Sequence, residues 1–202
     1  MTKSRPIALF LVACSLGAGL AACGGEEGFR NDGSKIDGDP NTPLPAALAS
    51  TKSSIPERKA GEPLPEATSV GPVSDDLSTK PKVPAPTGEA PKELQGKDVV
   101  VGKGAEVKPG DKVAVQYVGV LFDGAKQFDS SWDRGKKPFE FTVGQSQVIQ
   151  GWDQGIPGMK VGGRRVLVIP SDLAYGAQGS PPKIPANAPL VFVVDVKKIL
   201  KA

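Results

Sequence analysis

The stretch V-I-Q-G-W-D-Q-G-I-P-G-M, residues 148–159, contains the one candidate helix of the chain and one of its two tryptophans. Ile149, Trp152 and Ile156 recur at spacings of three and four, which is the period of an α-helix. The glycine and the proline that flank Ile156 predict that this helix is short. Trp152 then either fills a small core or forms the floor of a pocket. Because large aromatic side chains usually serve packing, these residues alone favour the core.

Runs of β-branched and aromatic residues on both sides of this helix predict the strands of one sheet. In residues 111–121 alternate side chains share one face, as in a half-buried strand. The other predicted strands occupy residues 98–101, 138–143, 164–169 and 190–200. An antiparallel sheet buries its apolar face by wrapping around the helix, so the sequence predicts an α+β domain. Five side chains in these runs are assigned to the core and to no function: Val113, Val115, Phe141, Leu167 and Val194.

The composition excludes much of enzyme chemistry. The chain has 202 residues, no histidine and only two cysteines, Cys14 and Cys23, both near the N-terminus. Ser-His-Asp and Cys-His catalysis, histidine-bound zinc and a thiol nucleophile in the body of the protein are therefore excluded. We accordingly expect no metal and no cofactor.

The net charge gives no reason to expect a nucleic-acid partner. The formal charge is +3, and loss of Lys3 and Arg5 with an N-terminal signal would leave 3 − 2 = +1. A nearly neutral chain offers no strong electrostatic attraction to phosphates.

Residues 1–22 have the order of a secretory signal, with positive charges followed by an apolar run that ends in small residues. The run is too short to span a bilayer comfortably. L-A-A-C at residues 20–23 resembles the lipobox of bacterial lipoproteins, which implies lipidation of Cys23. L-V-A-C at residues 11–14 fits the same local pattern, but cleavage there would leave a stunted apolar core. The alternative is a soluble secreted protein with an incidental cysteine. We expect an extracytoplasmic protein that is lipid-anchored to a bacterial membrane.

Residues 23–78 show no hydrophobic period of either kind and predict a flexible tether. Seven prolines lie in this segment among glycine, serine, alanine and charged residues. Such a composition does not bury enough apolar surface to offset chain entropy. The folded domain is therefore predicted to occupy residues 79–202.

Six fragments between residues 117 and 196 follow one another in the order of a known family. They are Y-V-G-V-L (117–121), Q-F-D-S-S (127–131), V-I-Q-G-W-D-Q-G (148–155), V-G-G-R-R-V-L-V-I-P (161–170), L-A-Y-G (173–176) and I-P-A-N-A-P-L-V-F-V-V-D-V (184–196). Together they resemble the FKBP-type peptidyl-prolyl isomerases, and the resemblance covers essentially all of residues 79–202.

The resemblance implies a half-barrel of antiparallel strands around the short helix, with a proline-binding pocket between them. It makes Trp152 the floor of this pocket and so reverses the preference for a core role. The residues that it implies as walls are Tyr117, Phe128, Phe139, Val148, Ile149, Ile184 and Phe192.

The resemblance also implies which groups act on the bound peptide. The Tyr175 hydroxyl would donate to the substrate carbonyl, and the Ile149 backbone N–H would donate to another carbonyl of the peptide. Asp129 would face the reacting amide from the rim, while Arg134 holds Tyr117 and Asp129 in place. Taken alone, Asp129 would equally suit a turn-capping role, and Arg134 a solvated surface position.

This chain departs from well-studied members at Ser180, Lys183 and Leu173, which we expect to alter the pocket rim. Peptide preference and the affinity for macrolide inhibitors are therefore open. Trp132 is expected at the rim without an assigned role. The loop between residues 176 and 184 is short and holds no inserted chaperone domain, so we expect weak affinity for unfolded chains away from the proline site.

Three functions remain as hypotheses from the sequence. The first is a monomeric, lipid-anchored isomerase that acts on proline-containing segments of exported polypeptides. The second is a non-catalytic proline-binding module of the same fold. The third is a tethered scaffold that acts through its Pro-rich segment, in which case deletion of residues 24–78 would abolish the function.

Overall fold

The computed structural model describes residues 62–200. The predicted signal, Cys23 and the tether up to residue 61 therefore lie outside the described residues. The six strands are β1 (Gln95–Val100), β2 (Lys112–Leu121), β3 (Gln127–Ser130), β4 (Phe139–Thr142), β5 (Arg164–Ile169) and β6 (Leu190–Leu200), and the α-helix α1 spans Gln150–Gly155. No helix within residues 62–200 is long and apolar enough to cross a membrane.

The strands form one antiparallel sheet in the order β1-β5-β6-β2-β3. One edge of β2 is shared, because residues 118–120 pair with β3 whereas residues 112–115 pair with β4. A register shift between Ala114 and Val115 interrupts the pairing of β2 with β6, and such irregularities bend strands. The predicted α+β fold, an antiparallel sheet around one short helix, is confirmed.

The helix α1 packs on the inner face of the sheet through two glycines. A Cβ added at Gly151 would lie 2.4 Å from Ile169 Cγ2, and one at Gly155 would lie 2.8 Å from Leu167 Cδ2. Only glycine therefore allows the helix backbone to approach β5 this closely. The five predicted core residues, Val113, Val115, Phe141, Leu167 and Val194, are all buried in the cluster that α1 joins, which confirms their place in the core.

The outer face of the sheet is buried as well. It carries Phe122, Trp132 and six valines: Val118, Val120, Val166, Val168, Val191 and Val193. Residues 62–93, which we call the strap, precede β1 and have almost no regular secondary structure. Ala67 and Val70 of the strap are 0% and 5% exposed and belong to the same apolar cluster. The strap therefore forms a third layer of the fold.

The predicted start of the domain at residue 79 is too late, because residues 62–78 pack on the sheet instead of forming a free tether. Backbone hydrogen bonds from Ala67 N–H to the Gly96 carbonyl (3.3 Å) and from Gly96 N–H to the Pro65 carbonyl (2.9 Å) tie the strap to β1. The sequence does not reveal this packing, since isolated apolar residues between prolines produce neither a two-residue nor a 3.6-residue period.

Candidate active site

A cavity of about 280 Å³ opens between α1, the inner face of the sheet and the loop that follows β5. Its size and its mainly aromatic and aliphatic lining are typical of small-ligand sites. The predicted site residues that line it are Tyr117, Phe128, Asp129, Phe139, Val148, Ile149, Trp152, Tyr175 and Phe192. Three further residues line it without having been predicted there: Glu140, Phe141 and Gln147.

Trp152 is both a core residue and the floor of this cavity. Its ring centroid lies 5.1 Å from that of Tyr117 and 5.2 Å from that of Phe192, and both pairs are edge-to-face. Phe141 lies 5.6 Å away on a third side. Edge-to-face contacts of this kind fix the orientation of each ring. Trp152 is thus packed in the core cluster and also lines the cavity, so its core role and its pocket role are not exclusive.

Gly119 of β2 provides the room for two of the walls. A Cβ at this position would lie 2.7 Å from both Phe128 Cζ and Phe192 Cε1. The two phenyl rings meet over the glycine at a centroid distance of 5.5 Å and an interplanar angle of 84°. The glycine in Y-V-G-V-L is therefore required by close packing beneath the pocket wall.

A hydrogen-bonded cluster of three side chains holds Asp129 at the edge of the cavity. The Tyr117 hydroxyl donates to Asp129 Oδ2 (2.5 Å), and Arg134 Nη2 donates to the Tyr117 hydroxyl (2.6 Å). Arg134 Nη1 forms an ion pair with Asp129 Oδ1, and its guanidinium lies 5.5 Å from the centroid of the Tyr117 ring. Asp129 also accepts the Ser130 N–H (2.8 Å), but both residues lie in β3, so this bond does not cap a turn.

Arg134 is therefore not a solvated surface charge. Its side chain is mostly buried against Tyr117 and Asp129, behind the cavity, and contributes no surface to it. Burial, and secondarily the charge of Asp129, raise the pKa of the Tyr117 hydroxyl, which stays protonated and keeps donating to the carboxylate.

Three hydrogen-bond donors at the cavity have no partner among the described residues, and one of them, the Trp152 indole N–H, is fully buried. The Tyr175 hydroxyl makes no hydrogen bond within residues 62–200, and burial, followed by the Asp129 charge, raises the pKa of Tyr175 to about 12. The Ile149 backbone N–H, at the residue that precedes α1, likewise makes no hydrogen bond in the described part of the chain. A buried donor without a partner, such as the Trp152 N–H, is costly, and the Tyr175 hydroxyl and the Ile149 N–H are available to carbonyl groups of a ligand.

Asp153, which the sequence did not single out, fixes the loop that leads into α1. Its carboxylate accepts the backbone N–H groups of Gly144 (2.8 Å) and Ser146 (2.9 Å). Burial raises the pKa of Asp153 despite these two bonds. The loop held in this way ends at Val148 and Ile149, which line the cavity. An acidic residue in the first turn of a helix was the only available signal.

Several residues predicted at the pocket lie elsewhere. The predicted wall residue Ile184 is 0% exposed and lies in the inner core, because hydrogen bonds in both directions between Ser180 and Ile184 fold its loop inward. Leu173 is buried in the same core and does not lie at the rim. Lys183 is exposed and does not line the cavity, and Trp132 packs on the outer face.

Comparisons with known proteins place this geometry in a family. The model of a family described as FKBP-type peptidyl-prolyl cis-trans isomerase matches residues 103–197. The "Probable FK506-binding protein" of Corynebacterium glutamicum is 49% identical over 117 residues, which cover 58% of this chain and 96% of the relative. The FK506-binding protein of Streptomyces anulatus is 50% identical over 118 residues, covering 58% and 94%. The crystal structure of AtFKBP13 is similar with a TM-score of 0.50 and 40% identity, over 55% of this chain and 96% of that one.

Proposed function

The chain belongs to the FKBP-type peptidyl-prolyl cis-trans isomerases, and on that premise we propose that it isomerises X–Pro bonds of exported polypeptides in the cavity above Trp152. The observation that carries the proposal is the combination of an aromatic cavity with two unpartnered donors, the Tyr175 hydroxyl and the Ile149 N–H. A proline ring suits the aromatic floor, and peptide carbonyls suit the donors.

The proposed mechanism lowers the barrier to rotation without bond cleavage. That barrier is about 18–20 kcal/mol and arises from amide resonance. Resonance places negative charge on the amide oxygen, which water stabilises in the planar ground state. A dry aromatic cavity removes this solvation, whereas the twisted transition state has less charge separation and loses less. The cavity thereby favours the transition state over the ground state.

Each polar group has a proposed part in holding the twisted amide. The Tyr175 hydroxyl donates to the substrate carbonyl, and the Ile149 N–H donates to a neighbouring carbonyl of the peptide. Asp129 faces the reacting amide from the rim. Arg134 acts through Tyr117 and Asp129, since it reaches both of them but not the cavity.

The magnitudes favour a collective effect. An acceleration of about 10⁵ requires about 7 kcal/mol. One hydrogen bond contributes about 0.5–1.5 kcal/mol net, or about 1.5–3 kcal/mol when one group is charged. Desolvation and shape must therefore supply most of the acceleration. Loss of Asp129 alone should consequently reduce activity without abolishing it.

Macrolides are a further proposed ligand class, supported by the names of the relatives, which describe FK506-binding proteins. The departures at Ser180, Lys183 and Leu173 lie outside the cavity lining, so they give no direct reason for weak binding. Titration of the tryptophan fluorescence with FK506 tests this proposal, and the absence of saturable quenching at micromolar concentration would contradict it.

The proposed location is extracytoplasmic, with a lipid on Cys23 anchoring a monomer to a bacterial membrane. Support comes from the sequence of residues 1–25 alone. The wild-type chain and a Cys14→Ala variant should both incorporate radiolabelled palmitate, whereas a Cys23→Ala variant should not. Equal labelling of wild type and Cys23→Ala would exclude this anchor.

The isomerase proposal is tested with an X–Pro tetrapeptide and the full-length chain, because a fragment that begins at residue 79 would lack the first half of the strap. Wild type should accelerate cis-to-trans conversion. Folded Trp152→Leu should lose most of the acceleration, and folded Asp129→Leu should lose part of it. An uncatalysed rate with well-folded wild type would contradict the proposal and favour a proline-binding module.

A further inference from the structure

Residues 129–134, which we call the rim segment, have contacts on two sides. Asp129 and Arg134 at its ends both contact Tyr117, and Asp129 also lines the cavity. Trp132 and Asp133 between them face away from the cavity, toward the strap on the outer side of the sheet. The segment that holds the proposed rim carboxylate is thus packed between the active site and the strap.

Two contacts join the strap to the rim segment. In the first, Lys80 Nζ of the strap lies 2.8 Å from both carboxylate oxygens of Asp133. Gln127 Nε2 of β3 also donates to Asp133 Oδ2 (2.8 Å). Trp132 belongs to the apolar cluster that the strap residues Ala67 and Val70 complete. One polar and one apolar contact therefore fix neighbouring residues of the rim segment from outside.

The strap is itself firmly held just before Lys80. Arg164, which is 0% exposed and paired with Asp195, donates to the Ser74 carbonyl (2.7 Å) and reaches the Thr79 carbonyl (3.4 Å). Asp76 accepts the Ser78 N–H (2.9 Å) and so closes the turn between these two carbonyls. Lys80 thus extends from a segment that is fastened to the interior of the sheet.

The rim segment is stiff enough to transmit a displacement from Asp133 to Asp129. The Tyr117 N–H donates to Ser131 Oγ (2.8 Å), and the Ser131 N–H donates to the Tyr117 carbonyl (3.1 Å). The Arg134 N–H donates back to the Ser131 carbonyl (3.2 Å). These bonds leave the short segment little freedom to move one end without the other.

We propose that the strap is a brace for the active site, and that Lys80 is a positioning residue that keeps Asp129 and Arg134 in place through Asp133. The inference rests on the proposed role of Asp129 in isomerisation. The family model begins at residue 103, after the strap, so the residues of the brace lie outside the part of the chain that this model matches.

The test is a charge swap in the full-length chain. Lys80→Glu and Asp133→Lys should each lower kcat for an X–Pro tetrapeptide about two- to fivefold, the range expected for an exposed ion pair. KM should change less than about twofold, because the aromatic cavity is untouched. The double variant Lys80→Glu/Asp133→Lys should regain wild-type kcat. The matched control is Lys97→Glu, which breaks the exposed Lys97–Glu66 pair between β1 and the strap and should leave kcat unchanged.

The outcomes separate the brace from the isomerase proposal. An active wild type with unchanged kcat in folded Lys80→Glu would overturn the brace and leave the isomerase proposal standing. Equal losses in Lys80→Glu and Lys97→Glu, or no recovery in the double variant, would overturn the role of Lys80 as the positioning residue. An inactive, folded wild type would contradict both. Because both residues of the pair are partly exposed, at 37% and 52%, the variants are expected to fold, and thermal melting checks this.

Discussion

The two faces of the sheet are both buried but are packed by different means. The inner face meets a helix and aromatic rings, whose fixed edge-to-face angles leave a cavity. The outer face presents mainly valines, and the strap, which has almost no regular secondary structure, packs on it. Rigid rings create a shaped site, whereas β-branched side chains form a flat surface that a single extended segment can follow. The proposed site lies on the inner face, and on that proposal the outer face serves stability and positioning.

The largest effect is expected from Arg164→Leu, which should weaken the packing of the strap on the outer face and lower the stability of the protein. Asp195, 1% exposed, would remain buried without a partner, and the strap carbonyls would lose their donor. We expect the free energy of unfolding to fall by about 3–5 kcal/mol, measured by urea denaturation. Lys112→Met, which breaks an exposed pair with Glu140, should cost less than about 1 kcal/mol. Similar losses in both variants would contradict a special role for the buried pair.

The next largest effect on stability is expected from a glycine of the inner face, and a glycine of the strap serves as its comparison. Gly151→Ala would place its methyl group 2.4 Å from Ile169 Cγ2 and push α1 from the sheet, so we expect a loss of about 1–3 kcal/mol. Gly71→Ala in the strap meets only Pro84, at 3.5 Å, and should be neutral or stabilising by about 0.4–1 kcal/mol. Thermal and urea unfolding measure both. A tolerated Gly151→Ala would show that the inner face is less tightly packed than its geometry indicates.

A smaller effect is expected on kcat/KM, which should fall for a variant at the cavity and not for one on the outer face. Tyr175→Phe removes one proposed donor and should lower kcat/KM about two- to twelvefold, the equivalent of about 0.5–1.5 kcal/mol. Phe122→Leu on the outer face should change kcat/KM less than about twofold. Cis-to-trans conversion of an X–Pro tetrapeptide measures both variants. Unchanged activity in Tyr175→Phe would remove this hydroxyl from the mechanism.

The smallest expected effect is that of pH. The pKa of Tyr175 is raised to about 12, so its neutral, donating form contributes fully below the ordinary tyrosine value of about 10 and is lost only as the pH rises toward 12. With no histidine in the chain, kcat/KM should vary less than about twofold between about pH 6 and 9. A bell-shaped profile in that range would indicate a titrating group that the proposed mechanism does not contain.

Periodic elements were the predictable part of the fold. The spacing of Ile149, Trp152 and Ile156 indicated the helix that the structure places at Gln150–Gly155, and alternation indicated the strands. The strap was missed because its buried residues, such as Ala67 and Val70, recur with neither a two-residue nor a 3.6-residue period. The prediction of one buried face for β2 was also incomplete, since its outward residues, such as Val118, lie under the strap.

The sequence predicted which face of the sheet a side chain lies on better than whether that side chain lines the cavity or is enclosed in the core. Phe141, predicted in the core, also lines the cavity, whereas Ile184, predicted at the cavity, lies in the core. Alternation states which face a residue occupies, but not whether a loop opens or closes over it. The pairing of Ser180 with Ile184 is a contact between irregular segments, which a single sequence does not encode in a recognisable pattern.

The burial of β2 on both sides has a consequence for how this protein can vary. Eight consecutive residues, 113–120, are buried, so almost any substitution there disturbs a packed neighbour, and random mutagenesis should find few tolerated changes. β1 has only partly buried and exposed positions and should accept many. New substrate preferences are therefore more accessible through Glu140 and Gln147, which line the cavity from exposed positions, than through the strand that carries Tyr117.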